Sequence, residues 1–320
     1  MIEVHARRSC RSRLIRIGSR AVVRPILGFF PSTGPAAPLM ELMDVGMRAL
    51  PRLASTQHEA VDGGHWSAEL VSPRGVDAES AHGAIVYFHG GAFVSCGLGT
   101  HRRITERLAQ RTGLPVLSVA YRQHRKGHVD TSIRDCVEAV NWLIDRGFDP
   151  ARLVLAGDSA GGHLSFAVAL AATAQGIRLG GIVAISPWLD FDNSVRRLHR
   201  NALRDHFIPT YRLQRMAHQV TGAQVIDPKM SPVNADLRGL PPVLIICAAD
   251  EVLRYDAELM TERLDKAGVP VELHIWEGQV HAFPVLADLL PESLAAIRRI
   301  GAFVAAVVGA AGAEESGLAS

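Results

Sequence analysis

Residues 155–162 read Leu-Ala-Gly-Asp-Ser-Ala-Gly-Gly, and the frame Gly157-Asp158-Ser159-Ala160-Gly161 within them is a Gly-x-Ser-x-Gly pattern. The apolar run before it, Arg152 to Ala156, predicts a buried strand. The stretch after it carries Leu164, Phe166, Val168, Leu170 and Ala172 and predicts a helix. A serine on a sharp strand-to-helix turn points its hydroxyl out of the sheet. Glycines on either side remove the Cβ clashes such a turn creates. The helix that starts behind Ser159 also aims its first N–H groups, that of Ala160 among them, at any oxyanion formed there.

Working outward, short apolar runs alternate with helix-period segments from about residue 58. Strands are predicted over 65–71, 83–88, 115–121, 181–185, 242–248 and 269–276, and helices over 102–111, 131–146, 255–267 and 291–308. A helical insertion is predicted over 194–220. This alternation implies βαβ units and a mostly parallel sheet covered on both faces. Residues 1–56 read as helical, with a break at Pro31 to Pro38. They form an N-terminal cap segment ahead of a catalytic domain over 57–308. Residues 309–320, small and polar, are expected to be a disordered tail.

Composition narrows the function. The 320 residues are 48% hydrophobic and 21% charged with net charge +2, which suits one large buried core and argues against a nucleic-acid partner. Cys10, Cys96, Cys136 and Cys247 are far apart, with no Cys-x-x-Cys pair and no histidine at zinc-ligand spacing; free thiols in the cytoplasm are expected. No run of transmembrane length lacks a charge. Arg13, Arg16, Arg20 and Arg24 share one helical face. That face is either a solvated side of a cap helix or a basic surface resting on an anionic membrane.

A serine hydroxyl needs a base, an acid to orient the base, and donors for the oxyanion. His281, in Trp276-Glu-Gly-Gln-Val-His-Ala-Phe283, follows the last strand, and loops at the carboxyl ends of parallel strands converge on one crevice. The orienting acid is sought in Ala248-Ala-Asp-Glu-Val-Leu253. Asp250, just past a strand, is preferred over its neighbours Glu251 and Asp256, the last of which suits the first turn of a helix. Oxyanion donors are expected from Ala160 and from the loop His89-Gly90-Gly91-Ala92-Phe93.

Together these residues resemble the hormone-sensitive-lipase-like group of α/β-hydrolase carboxylesterases. The resemblance rests on His89–Phe93, Gly157–Gly162, Ser231-Pro232 with Leu240–Val243, Asp250-x-x-Leu253 and Gly278-x-x-His281-x-Phe283, and spans residues 83–300. It implies an α/β-hydrolase fold with an eight-stranded sheet and a helical cap built from the N-terminal segment and the 194–220 insertion. It implies hydrolysis of a small-molecule ester without metal or organic cofactor. It assigns Ser159 as nucleophile, Asp250 as acid, His281 as base, and Gly90, Gly91 and Ala92 as donor loop. Two departures stand out. Ala92 replaces a common third glycine, and Gln123–Val129 replaces a proline-containing segment near the pocket. Amide hydrolysis by the same residues and a membrane-bound lipase are the alternatives.

Overall fold

The computed structural model describes residues 1–29, 39–78 and 81–318; the expected break at Pro31 to Pro38 lies outside them. The strands are β1 (Ile2–His5), β2 (Thr56–Asp62), β3 (Ser67–Pro73), β4 (Ala84–Phe88), β5 (Val116–Ala120), β6 (Leu153–Asp158), β7 (Gly181–Ile185), β8 (Val243–Ala248) and β9 (Val271–Trp276). The helices are α1 (Cys10–Gly18), α2 (Arg24–Phe29), α3 (Leu39–Arg48), α4 (Leu98–Thr112), α5 (Val129–Asp145), α6 (Ala160–Ala174), α7 (Ser194–Leu198), α8 (Leu213–Thr221), α9 (Arg254–Lys266) and α10 (Pro291–Leu318). A π-helical turn, Ser19–Val23, joins α1 to α2.

The strands form one sheet in the order β1-β9-β8-β7-β6-β4-β5-β3-β2. β3 pairs antiparallel with both β2 and β5, and every other pairing is parallel. β4, β6, β7 and β8 are buried throughout, so their apolar runs are continuous rather than alternating. The pleat still sorts side chains by face. Leu153 and Leu155 join a core that includes Leu164 and Val168 of α6 and Met260 of α9. Val154 and Ala156 join the opposite core, with Ile104 and Leu108 of α4 and Ile297 and Ile300 of α10.

The chain reverses its direction of travel across the sheet between β4 and β6. It leaves β4 for β5 on one side, then returns through α5 to β6 on the other. The loops after β4 and β6 therefore diverge to opposite faces and leave a crevice at the strands' carboxyl ends, where ligands sit in open α/β sheets. His89–Phe93 and Ser159 both occupy that crevice.

Three expectations are corrected. The sheet has nine strands, not eight. Residues 1–56 are not wholly helical, because Ile2–His5 pairs parallel with β9 along Leu273–Trp276. Four mostly exposed residues at an edge carry no readable pattern. β2 was equally hidden, since only Thr56 and Val61 of its seven residues are buried. Residues 309–318 are helix rather than tail; alanines and glutamates there are good helix formers, and they extend a helix that is already nucleated.

Candidate active site

Ser159 stands between β6 and α6 with φ 53° and ψ −113°. A non-glycine residue in that region costs about 1–3 kcal/mol and survives only where its surroundings fix it. Here the Ser159 N–H donates to the Ile185 carbonyl (2.8 Å), and its own carbonyl accepts from His163 N–H (3.2 Å) and Trp188 N–H (3.0 Å). Gly161 passes so close to β4 that a Cβ would run into the Phe88 carbonyl, which explains why this position of the motif is glycine.

His281 lies in the loop after β9 and is buried. Its loop is pinned by the Ala282 N–H, which donates to Ser186 Oγ at 3.0 Å. The Phe207 ring sits 5.6 Å from the imidazole, centroid to centroid. His281 Nδ1 lies 2.6 Å from Oε2 of Glu251, so the Nδ1–H donates to that carboxylate and Nε2 is left as an acceptor. Burial alone lowers the basicity of His281. The hydrogen bond and charge of Glu251 outweigh it, with further help from Asp205 and Asp158, and hold the imidazole above the ordinary histidine range. Ser186 follows Ile185, whose carbonyl accepts the Ser159 N–H, so the bond from Ala282 to Ser186 sets the histidine loop beside the elbow.

The carboxylate that the structure brings to His281 is thus Glu251, a correction to the expected Asp250. Glu251 is buried and uses both oxygens, Oε1 accepting the Ala248 N–H at 2.8 Å and Oε2 holding His281. Asp250 instead turns toward the N-terminal segment, 3.7 Å from Arg16, with its side chain 31% exposed. Asp256 occupies the first turn of α9, as expected, and is committed there. Both its oxygens bind Arg196, at 2.7 and 2.6 Å, and one also accepts from Leu189 N–H at 2.8 Å. The sequence signal that distinguishes Glu251 from Asp250 is weak. Glu251 directly precedes the fully buried pair Val252-Leu253, and its extra methylene gives the reach that the turn requires.

In the loop after β4, Gly91, Ala92 and Phe93 have φ of 111°, 53° and 60°. This run of positive φ holds the loop out of both strand and helix geometry. The Gly91 carbonyl is held by Val94 N–H (3.0 Å) and Ser95 N–H (3.1 Å). Among the described residues no protein acceptor takes the N–H of Gly91, Ala92 or Ala160. Gly90 differs, and its expected role is corrected: its N–H already donates to Asp158 Oδ1 at 3.0 Å. The Gln123–Val129 loop docks on the same structure, His124 N–H donating to the Phe93 carbonyl (2.7 Å) and Gln123 Nε2 to that of Cys96 (3.0 Å).

The N-terminal segment and the insertion after β7 meet beside this site, where Arg16 Nη2 lies 2.9 Å from His206 Nε2. Arg16 and Arg24 are half-buried, so the arginine face of the N-terminal helices is not a uniformly solvated one. Exposed instead are Leu14, Ile17, Val22, Ile26 and Phe29. Away from the crevice, Glu3, His5 and His274 could together ligate a metal ion at the β1–β9 edge. Their two imidazoles are already hydrogen-bonded to each other at 2.8 Å.

A family model described as alpha/beta hydrolase fold matches residues 85–285. The esterase LipU of Mycobacterium tuberculosis is 36% identical over 296 residues, covering 90% of this chain and 99% of that protein. The carboxylesterase/phospholipase LipF of the same organism is 34% identical over 304 residues, covering 92% and 82%. A crystal structure of an esterase from the bacterial hormone-sensitive lipase family superposes with TM-score 0.83 at 29% identity, covering 94% of this chain and 99% of that one. With its crevice, its strained serine and its histidine–carboxylate pair, the chain belongs to the alpha/beta hydrolase family, among esterases of the hormone-sensitive-lipase kind.

Proposed function

We propose that the protein is a serine carboxylesterase in which Ser159, His281 and Glu251 act as nucleophile, base and orienting acid. The observation that carries this reading is the 2.6 Å His281–Glu251 hydrogen bond beside the strained Ser159. Ser159 Oγ attacks the ester carbonyl carbon while His281 Nε2 takes its proton, and Glu251 stabilises the imidazolium that forms. The Gly91, Ala92 and Ala160 amides receive the oxyanion. The tetrahedral adduct then collapses, and the alcohol leaves with the proton from His281. Water, deprotonated by the same imidazole, releases the acyl group as a carboxylic acid. Short- to medium-chain acyl esters are the substrates of this reading, with the two cap segments, 1–56 and 194–220, and the Gln123–Val129 loop shaping the pocket. The four unpaired thiols fit a reducing, cytoplasmic setting.

Turnover of p-nitrophenyl butyrate by three variants tests the assignment. Ser159→Ala is expected to be inactive with its fold intact. Glu251→Gln is expected to lose on the order of 10⁴ in kcat, as loss of a triad acid does, and Asp250→Asn to stay near wild type. A dead Asp250→Asn beside an active Glu251→Gln reverses the acid assignment.

A second reading is supported by the outward apolar stripe of α1, the π-helical turn and α2. Leu14, Ile17, Val22, Ile26 and Phe29 are exposed, flanked by exposed Arg13 and Arg20. Apolar residues outward with arginines beside them suit a helix lying in an anionic lipid interface. Co-flotation with phosphatidylglycerol vesicles is expected for the wild type and lost in a Leu14→Ser, Ile17→Ser, Phe29→Ser variant. Equal recovery of the two proteins dismisses membrane contact.

A further inference from the structure

Asp158, the residue before the nucleophile, takes no part in the proton relay described above, yet it is among the most connected side chains in the crevice. It is buried, and Tyr87 Oη donates to its Oδ1 at 2.8 Å. The Gly90 N–H donates to the same oxygen at 3.0 Å. His101 Nε2 lies 3.1 Å from Oδ1 and 3.3 Å from Oδ2. A Cβ on Gly90 would run into this carboxylate, so the loop rests directly on it.

The line of polar groups continues away from the crevice. His101 Nδ1 is 2.9 Å from Thr100 Oγ1. The Thr100 N–H donates to Asp44 Oδ1 at 2.8 Å, and Thr100 Oγ1 lies 3.1 Å from the same oxygen. Asp44 belongs to α3 of the N-terminal cap and is itself buried, paired with Arg48 one turn on. A chain of polar contacts, buried except at the half-buried Thr100, therefore runs Asp44–Thr100–His101–Asp158–Gly90, from cap helix to donor loop.

We propose that His101 is a positioning residue for the oxyanion loop and that Asp44 of the cap keys its orientation. The loop holds three consecutive residues at positive φ, a conformation that persists only under external restraint. The Gly90 N–H on Asp158 is that restraint, one residue before the proposed donors Gly91 and Ala92. Asp158 can act as a fixed anchor only if its buried charge is met, and His101, with Nε2 3.1 Å from Oδ1, is the side chain placed to meet it. Burial opposes charge on both groups, yet their mutual attraction holds Asp158 below and His101 above their ordinary ranges. Without His101 the carboxylate is a buried charge lacking its partner, and the anchor is free to swing.

This inference rests on the esterase reading of the crevice, and its test separates the two. Three variants, His101→Leu, His101→Gln and Asp44→Ala, are assayed on p-nitrophenyl butyrate. Each is normalised to reactive serine titrated with p-nitrophenyl diethyl phosphate, so misfolded protein is not counted. His101→Leu is expected to lose about 10² in kcat, the scale of an ångström misplacement at a reacting centre, with KM unchanged. His101→Gln, which keeps a donor toward Asp158, recovers part of the loss. Asp44→Ala loses about tenfold, the scale of a change along a coupling network. Affinity for an alkyl trifluoromethyl ketone, whose adduct with the serine places an oxyanion in the hole, falls in step with kcat. Wild-type kcat per titrated serine in Asp44→Ala and His101→Leu overturns the proposal, as does a loss carried by KM. Should His101→Leu yield no titratable serine, Asp44→Ala decides alone. An active Ser159→Ala would instead condemn the site reading itself.

Discussion

A base must be neutral to accept a proton, so the raised basicity of His281 sets where activity fails on the acid side. The neutral imidazole is lost as pH falls through a value above 6.5, the ordinary histidine value. The acid limb of kcat/KM is therefore expected above that value. Glu251→Gln removes the main cause of the upward shift and leaves burial, which pulls downward. The limb of that variant should move to lower pH while its height collapses. A pH–rate profile of both proteins checks this, and an unmoved limb shows that Glu251 does not set the basicity of His281. At this scale Ser159 and His281 were legible because glycine spacing and position after a strand reflect backbone constraints. The acid was not. Asp250 and Glu251 are consecutive, and the choice depends on the direction of one turn and the length of one side chain. Gly90 misled for a related reason, since no pattern in the loop reveals that a distant carboxylate, Asp158, already occupies its amide.

Helix α7 belongs to the insertion after β7, and its Arg196 reaches down to Asp256 of α9, both side chains fully buried. Arg196 also donates to the carbonyls of Asp190 and Asp192, the latter at 2.8 Å. One guanidinium thus ties the start of the insertion to the helix that follows Glu251. Arg196→Met leaves Asp256 buried and uncompensated, and a loss of about 3–5 kcal/mol is expected. Urea unfolding of wild type and variant measures it. A loss below about 1 kcal/mol, the size of an exposed pair, would show that the bridge is not a structural tie. The long elements were readable because helices such as α5 and α9 bury one face and the central strands bury both. The elements that escaped, β1 and β2, lie at the two sheet edges, where half or more of each strand faces solvent and composition carries no period.

Across the whole molecule the mostly parallel sheet and its two covered faces follow from strand–helix alternation, whereas the strand order with its reversal between β4 and β6 does not. Nor could alternation supply how the cap is held. Among its ties are polar links such as Arg16 to His206 and Asp44 to Thr100, between residues far apart in the chain, beside the pairing of β1 with β9. The same outlook bears on the acids gathered around His281. Glu251, Asp205 and Asp158 all lie within reach of its charge, and burial lifts Asp205 to about 6. Hydrolysis converts a neutral ester into a carboxylic acid that ionises as it departs. A chamber already rich in negative charge gives that anion no reason to linger. Butyrate is thus expected to inhibit turnover of p-nitrophenyl butyrate far more weakly than butyramide, its uncharged counterpart, and inhibition constants for the two at neutral pH provide the comparison. Equal inhibition would mean that the acids are screened from the leaving product. On that comparison rests a second role for the carboxylates around the imidazole, the release of the acid formed beside them.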